Sequence, residues 1–213
     1  MEKERQILTE GLAALGISPE TELLDRFDVY LRELKKWNRT YNITAITEDL
    51  EIVVKHFLDS LLYLKALPGG PLSLCDVGTG GGFPGIPIAI VREAISVTLL
   101  EPSRKKIAFL RQMKRLLTLR SVEIIDHRAE EVEGRQFDVV VTRATFAIAD
   151  LLKKAGHLVR PGGCFVLNKG PKFEEELLNL PASLKVEVMN VSLTKAALAR
   201  HLIKVAAPEK NIF

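Results

Sequence analysis

The residues able to do chemistry in this chain stand at sharp breaks in otherwise apolar runs. Leu72, Leu74, Cys75 and Val77 form one such run, which turns abruptly at Asp76-Val77-Gly78-Thr79-Gly80-Gly81-Gly82. An apolar helix is predicted to follow from Pro84 to Val91. Strand, glycine turn and helix in that order aim the free N–H groups of a helix start at the loop. Glycine there lets the backbone take positive φ and lets a ligand approach without meeting a Cβ. Acids stand at comparable breaks, Glu101 about 20 residues beyond the loop and Glu130 after Arg128-Ala129. Arg143, Lys169 and Arg200 bring positive charge to three more.

Two registers fit the loop. Gly80 to Gly85 matches the G-x-G-x-x-G spacing of dinucleotide folds. Asp76 to Gly82 equally matches the D-h-G-x-G-x-G loop of class I S-adenosylmethionine (SAM) methyltransferases. A dinucleotide presses its pyrophosphate on the helix end, whereas SAM has no phosphate and carries an ammonium, a carboxylate and a sulfonium. Asp76, an acid at the strand's end, suits SAM better, and a purely structural turn is the third reading. Glu101 is placed where nucleotide-binding sheets bond a ribose diol, and a carboxylate accepts from both hydroxyls.

These positions need a sheet to bring them together, and the rest of the chain supplies one. Apolar strands are predicted at 95–100, 122–125, 137–141 and 164–167, with further strands at 184–191 and 201–206. Open α/β sheets bind ligands beyond the carboxyl ends of their strands, where Asp76, Glu101, Arg128, Ala129, Glu130, Arg143 and Lys169 all fall. Residues 1–67 read instead as helices. Ile7, Leu8, Leu12 and Leu15 share one face ended by Gly16, and Ser18-Pro19-Glu20 opens a second helix whose stripe runs from Leu23 to Trp37. The stretch from Trp37 to Ile46, with two asparagines, two threonines and an arginine, reads as a loop. A helical stretch carrying His56, Asp59 and Ser60 comes next and breaks at Pro68-Gly69-Gly70-Pro71. Ser103 is predicted to cap a helix with Arg104, Lys105, Arg111, Lys114 and Arg115 on its polar face.

The 213 residues are 47% hydrophobic and 27% charged, enough for one domain of 68–213 with a helical extension over 1–67. A net charge of +3 permits an anionic partner without demanding one. Met1-Glu2-Lys3-Glu4-Arg5 has no apolar segment behind it and no stretch approaches a membrane span, so a cytoplasmic protein without membrane contact is expected. Cys75 and Cys164 fall in predicted buried strands, and neither they nor the scattered histidines have ligand spacing, so no metal is expected. No coiled-coil repeat is visible, and a monomer is expected.

The chain resembles the RsmG family (glucose-inhibited division protein B), bacterial enzymes that methylate a guanine at N7 in 16S ribosomal RNA. The likeness rests on Trp37-Asn38 with Asn42-Ile43-Thr44-Ala45-Ile46, His56-Phe57-Leu58-Asp59-Ser60-Leu61, Asp76 through Pro87, Arg128-Ala129-Glu130-Glu131, Thr142-Arg143-Ala144, Lys169-Gly170 and Arg200-His201-Leu202. It implies a Rossmann-like class I methyltransferase fold, with a mostly parallel seven-stranded sheet, one antiparallel strand and the helical extension in front. It implies SAM as cofactor and S-adenosyl-L-homocysteine as product, with Gly78 and Phe83 at the loop, Ala129-Glu130 beside the adenine and Arg143 at the junction of cofactor and substrate. Asp76, Gly80, Gly82 and Glu101 complete the expected cofactor set. The family often has aspartate and serine where this chain has Glu101-Pro102.

Guanine N7 bears a lone pair and no proton, so alkylating it needs no general base, and orientation carries the reaction. Arg143 and Arg200 are the candidates to orient the base, through a donor to O6. Lys35, Lys36, Arg39, Asn42, His56, Arg128, Lys169 and Arg200 are the candidates to contact RNA, with the 104–115 helix second to them. His56 pairing with Asp59 is the structural alternative for that residue. Three other functions compete: a methyltransferase of another substrate, a nicotinamide oxidoreductase using Gly80 to Gly85, and a non-catalytic RNA-binding module.

Overall fold

Two hydrophobic patterns divide the chain. A helical period near 3.6 governs the first 65 residues, and short apolar runs alternating with helical stretches make up the remainder. The computed structural model describes residues 2–143, 146–170, 173–193 and 198–207. It opens with α1 (Glu2–Ala14), α2 (Thr21–Tyr41) and α3 (Asp49–Ile52). The helical path continues through a π turn (Val53–Leu58), α4 (Asp59–Leu61) and a 3-10 turn (Leu62–Lys65). Strand and helix then alternate as β1 (Leu72–Val77), α5 (Gly85–Val91), β2 (Ile95–Leu100), α6 (Arg104–Leu116), β3 (Val122–Ile125), β4 (Phe137–Arg143), α7 (Ile148–Ala155), β5 (Val159–Lys169) and α8 (Phe173–Leu177). The hairpin strands β6 (Val186–Leu193) and β7 (Leu198–Ala206) complete the order.

The seven strands form one sheet in the order β3-β2-β1-β4-β5-β7-β6. β7 runs antiparallel to both neighbours and the other pairings are parallel. The strand order reverses between β1 and β4, which opens a crevice at their carboxyl ends. Alternate residues of each strand point to opposite faces. Leu74, Val97, Leu99, Val139, Val141 and Val166 pack with Leu12, Phe27, Leu34, Phe57, Ile86 and Phe109 on one side. Cys75, Val77, Leu100, Val140, Phe165 and Leu167 pack with Ile148, Leu151 and Leu152 on the other. The helical extension therefore shares a core with the sheet. The class and strand pattern expected from sequence are those observed.

Four local expectations are corrected. α2 starts at Thr21, so Pro19 lies outside it, and the Ser18 hydroxyl bonds the Glu20 carboxylate at 2.7 Å instead of capping the backbone. α2 also runs on through Asn38, Arg39 and Thr40, because Leu34 is fully buried and Trp37 packs edge-on to Phe109 at 5.8 Å. Tertiary burial overrides the weak preference of those polar residues for a loop, and Asn42 ends the helix at φ 50°. Ser103 precedes α6 as expected, but its hydroxyl makes no cap bond. Arg160-Pro161-Gly162-Gly163, whose proline and paired glycines predict a turn, lies within β5, where its register against β4 shifts.

One consequence can be checked directly. A chain of residues 68–213 alone would expose the apolar partners of Leu12, Phe27 and Leu34, so it should give no cooperative thermal transition, whereas the whole chain should give one. A cooperative transition in the shortened chain would make the two parts independent units.

Candidate active site

The glycine loop is built around a carboxylate that water cannot reach. Asp76 is fully buried, and its Oδ2 accepts from the Thr79 hydroxyl at 2.6 Å and the Gly85 N–H at 2.8 Å. Its Oδ1 is buried and makes no hydrogen bond within the protein. Burial pushes this carboxyl up to about 6, against the pull of those donors and of Arg143. Gly78 and Gly80 turn the chain at φ 69° and 61°, conformations that favour glycine, and both remain half-exposed. Glu101, 4% exposed at the end of β2, clasps the loop, its two oxygens accepting from Gly80 N at 2.9 Å and Ser103 N at 3.0 Å. Beside it runs a cleft of about 130 Å³ between Val77, Gly78, Leu100, Pro102, Ala129 and Phe146. His127, Arg128, Glu130 and Lys154 form its rim. The Lys154 ammonium bonds Glu130 at 2.5 Å and holds that carboxyl below its ordinary range.

Two members of the expected cofactor set face the protein instead. Gly82 is buried at φ 96°, and a Cβ there would lie 2.5 Å from Ile86 Cδ1 and 2.7 Å from the Tyr30 hydroxyl, so both its backbone and its packing call for glycine. The Phe83 ring, 3% exposed, stacks on the rings of His56 and Tyr30 with centroids 4.4 and 5.3 Å apart. The Arg143 guanidinium sits 4.9 Å from that ring's centroid.

Across the β1/β4 boundary lies a larger cavity of about 590 Å³, lined by Ile46, Lys55, His56, Asp59, Arg143, Asn168, Lys169, Gly170, Ala199, Arg200 and His201. Its hub is Asp59, 3% exposed. Arg200 Nε reaches Asp59 Oδ1 at 2.7 Å, Asn168 Nδ2 donates to the same oxygen at 3.1 Å, and Arg143 Nη1 lies 3.7 Å from Oδ2. Arg143 Nη1 also donates to the Lys55 carbonyl at 2.8 Å. Burial raises the Asp59 carboxyl above its usual range while the two guanidiniums pull it down. The Tyr63 hydroxyl fixes the floor by donating to Thr142 O at 2.6 Å and accepting from Asn168 N at 3.1 Å.

His56 is a core histidine. It is 6% exposed, its Nε2 bonds the Thr44 hydroxyl at 2.7 Å, and burial with Arg143 nearby pushes it down to about 3. A neutral ring in that position offers hydrogen bonds but no charge to the larger cavity, which it lines; Thr44 is its partner, where Asp59 was the alternative. The other expected RNA residues divide into three places. Lys169 and Arg200 line the larger cavity. Lys35, Arg39 and Asn42 line an adjoining groove of about 430 Å³ that shares Ile46 with it, and exposed Lys36 stands on the same turn of α2. Arg128 stands apart, on the rim of the glycine-loop cleft. The hub roles of Asp59 and Asn168 were missed, although a carboxylate inside an apolar helical run was the available signal.

A model of the family described as rRNA small subunit methyltransferase G matches residues 23–203. Proteins named "Ribosomal RNA small subunit methyltransferase G" are 39% identical in Caldanaerobacter subterraneus subsp. tengcongensis, over 96% of this chain and 90% of that protein, and 40% identical in Neisseria meningitidis serogroup B, over 94% and 96%. Among solved structures, a methyltransferase from Pyrococcus furiosus superposes with a TM-score of 0.59 at 16% identity, covering 83% of this chain and 98% of that one. A SAM-dependent methyltransferase from Aquifex aeolicus gives 0.55 at 18% identity, covering 74% and 93%. At those identities the likeness establishes the fold.

The titrations of His56 and Asp76 oppose each other. His56, depressed from 6.5 to about 3, contributes stability that is complete above 6.5 and lost as the pH falls, at up to about 1.4 kcal/mol per unit. Asp76, raised from 3.8 to about 6, returns part of it, because protonation favours the folded state between those values. Asp76→Asn keeps an acceptor for Thr79 and Gly85 but removes that offset. Its melting temperature should therefore fall more than the wild type's between about pH 7 and about pH 4.5, as thermal unfolding at both would read.

Proposed function

We infer that this chain, which belongs to the rRNA small subunit methyltransferase G family, moves a methyl group from S-adenosylmethionine to N7 of a guanine in 16S ribosomal RNA. The observation that carries this reading is the pair of recesses at the carboxyl ends of the strands, one on each side of the β1/β4 boundary. The glycine-loop cleft lies over the ends of β1 and β2 and the cation-lined cavity over the ends of β4 and β5, and Arg143 of the second rests its guanidinium on Phe83, the buried residue that directly follows the glycine loop.

The residues of the cleft and of the glycine loop beside it fit SAM. Asp76 Oδ1 is a buried acceptor that makes no bond within the protein. A Cβ built at Gly80 would meet nothing nearer than 3.9 Å, so the loop's outer side is open to a ligand. Gly78 and Gly80 present backbone at that side, Glu101 offers remaining lone pairs to a ribose, and Leu100, Pro102 and Ala129 make an apolar slot for an adenine with Glu130 at its edge. When bound, SAM supplies an electrophilic methyl on its sulfonium, leaving S-adenosylhomocysteine.

The protein's part is to hold a guanine. N7 carries no proton, so no base has to be set free for it, and the ionisable groups of the cavity agree with that. His56 is engaged with Thr44, Asp59 with Arg200, and Lys169 with Glu176 at 2.8 Å. Guanine O6 and N7 are both acceptors, and arginine is the side chain whose geometry suits them. Arg143 or Arg200 donating to O6 would fix the plane of the base, and such orientation is worth roughly 7–11 kcal/mol of barrier. Lys35, Lys36, Arg39 and Asn42 of the helical extension take the flanking strand, with Lys169 on the opposite wall, while Arg128 reaches RNA only past the cofactor cleft. No helix among the described residues is long and apolar enough to cross a membrane. A cytoplasmic enzyme is the localisation that a ribosomal substrate implies on this reading.

Methyl transfer to small-subunit RNA from a strain lacking this modification should yield a product that cleaves at a single 7-methylguanine. A methyl on another atom, or binding of a nicotinamide dinucleotide without SAM, would overturn the assignment. Arg143→Ala should keep SAM affinity within about twofold while single-turnover methylation drops by about 10²-fold or more. Lys36→Ala and Arg39→Ala should each flatten the salt dependence of RNA binding by about one unit of slope, read by titration across salt concentrations.

A further inference from the structure

We propose that Asp59 is the positioning residue of this site, holding Arg200 and Arg143 in register with the base and offsetting their charge where the methylated purine becomes cationic. The proposal rests on the guanine-N7 methyltransferase reading and deepens it. Among the described residues lining the cavity Asp59 is the sole acid, against Lys55, Arg143, Lys169 and Arg200. Each lysine has its own acid outside that lining, Glu51 for Lys55 and Glu176 for Lys169. The two arginines converge on Asp59.

The geometry is that of a support. Asp59 is almost wholly enclosed, and its Oδ1 is taken by Arg200 Nε and Asn168 Nδ2. The ion pair uses Nε of Arg200, Nη1 donates to the Ala199 carbonyl at 2.8 Å, and the side chain is still 32% exposed. Arg143 is steered from three sides, by Asp59, the Lys55 carbonyl and the Phe83 ring. The chemistry gives the charge a purpose. As the N7–methyl bond forms from the lone pair and the S–methyl bond breaks toward sulfur, the base gains a positive charge beside two guanidiniums. A fixed carboxylate behind them lowers that repulsion without touching the base.

Asp59→Asn keeps an acceptor for Arg200 and deletes the charge. The expected result is a melting temperature and a SAM affinity close to wild type, single-turnover methylation slower by about 10²-fold, and RNA binding equal or tighter with a salt slope steeper by about one. A simple structural defect would instead weaken RNA binding and SAM binding together. Arg200→Gln and the double variant complete a cycle in which the two rate losses must be less than additive. A wild-type rate in Asp59→Asn, losses that track the melting temperature, or additive losses would each overturn the proposal. Should Asp59→Asn not fold, Asp59→Glu decides, because it keeps the charge but displaces it. It should bind SAM normally and methylate at least about tenfold more slowly, and a wild-type rate would refute positioning. If the wild-type enzyme fails to methylate ribosomal RNA, the functional reading falls. The salt slope of Asp59→Asn on a single-stranded oligonucleotide then still decides what Asp59 does to the arginines, an unchanged slope counting against it.

Discussion

The site depends on one contact, the seating of residues 49–65 across the carboxyl ends of β4 and β5. A single hydroxyl joins the three, since Tyr63 Oη bonds both Thr142 O and Asn168 N while fully buried. Tyr30 does the same for α2 by donating to Gly81 O in the glycine loop. Burial pushes both phenols well above their ordinary range, so each remains a donor throughout the physiological range. Buried polar groups left without partners cost about 1–3 kcal/mol each, so these bonds set the placement of the extension more sharply than its apolar packing does. Arg143, Asp59 and His56 reach their places because this seating brings a helical segment over strands it does not adjoin in sequence.

Legibility in the sequence divides along the same line. The sheet was legible because both of its faces are covered, which gives short runs such as Leu72–Val77 and Phe137–Val141 too apolar to be anything else. The glycine loop was legible by spacing, yet spacing treats all its glycines alike. Only the fold separates Gly78 and Gly80, both half-exposed, from Gly82, which is closed off by Ile86 and Tyr30. The π turn has no local signature, and with it went the assignment of Asp59. In an α-helix Asp59 and His56 stand one turn apart and invite pairing, whereas here His56 turns to Thr44 and Asp59 to residues more than 80 positions further along the chain. Long-range partners of that kind leave no trace in periodicity. The extension of α2 to Tyr41 was hidden for a related reason, since Trp37 is held by Phe109 from α6.

The charges at the cavity are already spoken for, and this decides how an anionic strand can engage it. Lys55 and Glu51 are both about half exposed, and such pairs contribute only about 0–1 kcal/mol, so a phosphate can replace the carboxylate at little cost. Arg200 differs, because its partner is enclosed. Withdrawing the guanidinium would strand a buried carboxylate, a change worth about 3–5 kcal/mol in measured cases. On the proposed reading a bound strand would trade partners at Lys55 on the rim and leave the inner arginines with Asp59. On that reading the rim would supply affinity that salt can screen, and the interior geometry that salt barely touches. A net charge of only +3 is sufficient on this arrangement. Discrimination then comes from the shape into which the base must fit, and the enzyme has no need of a strongly basic surface that would bind every RNA alike.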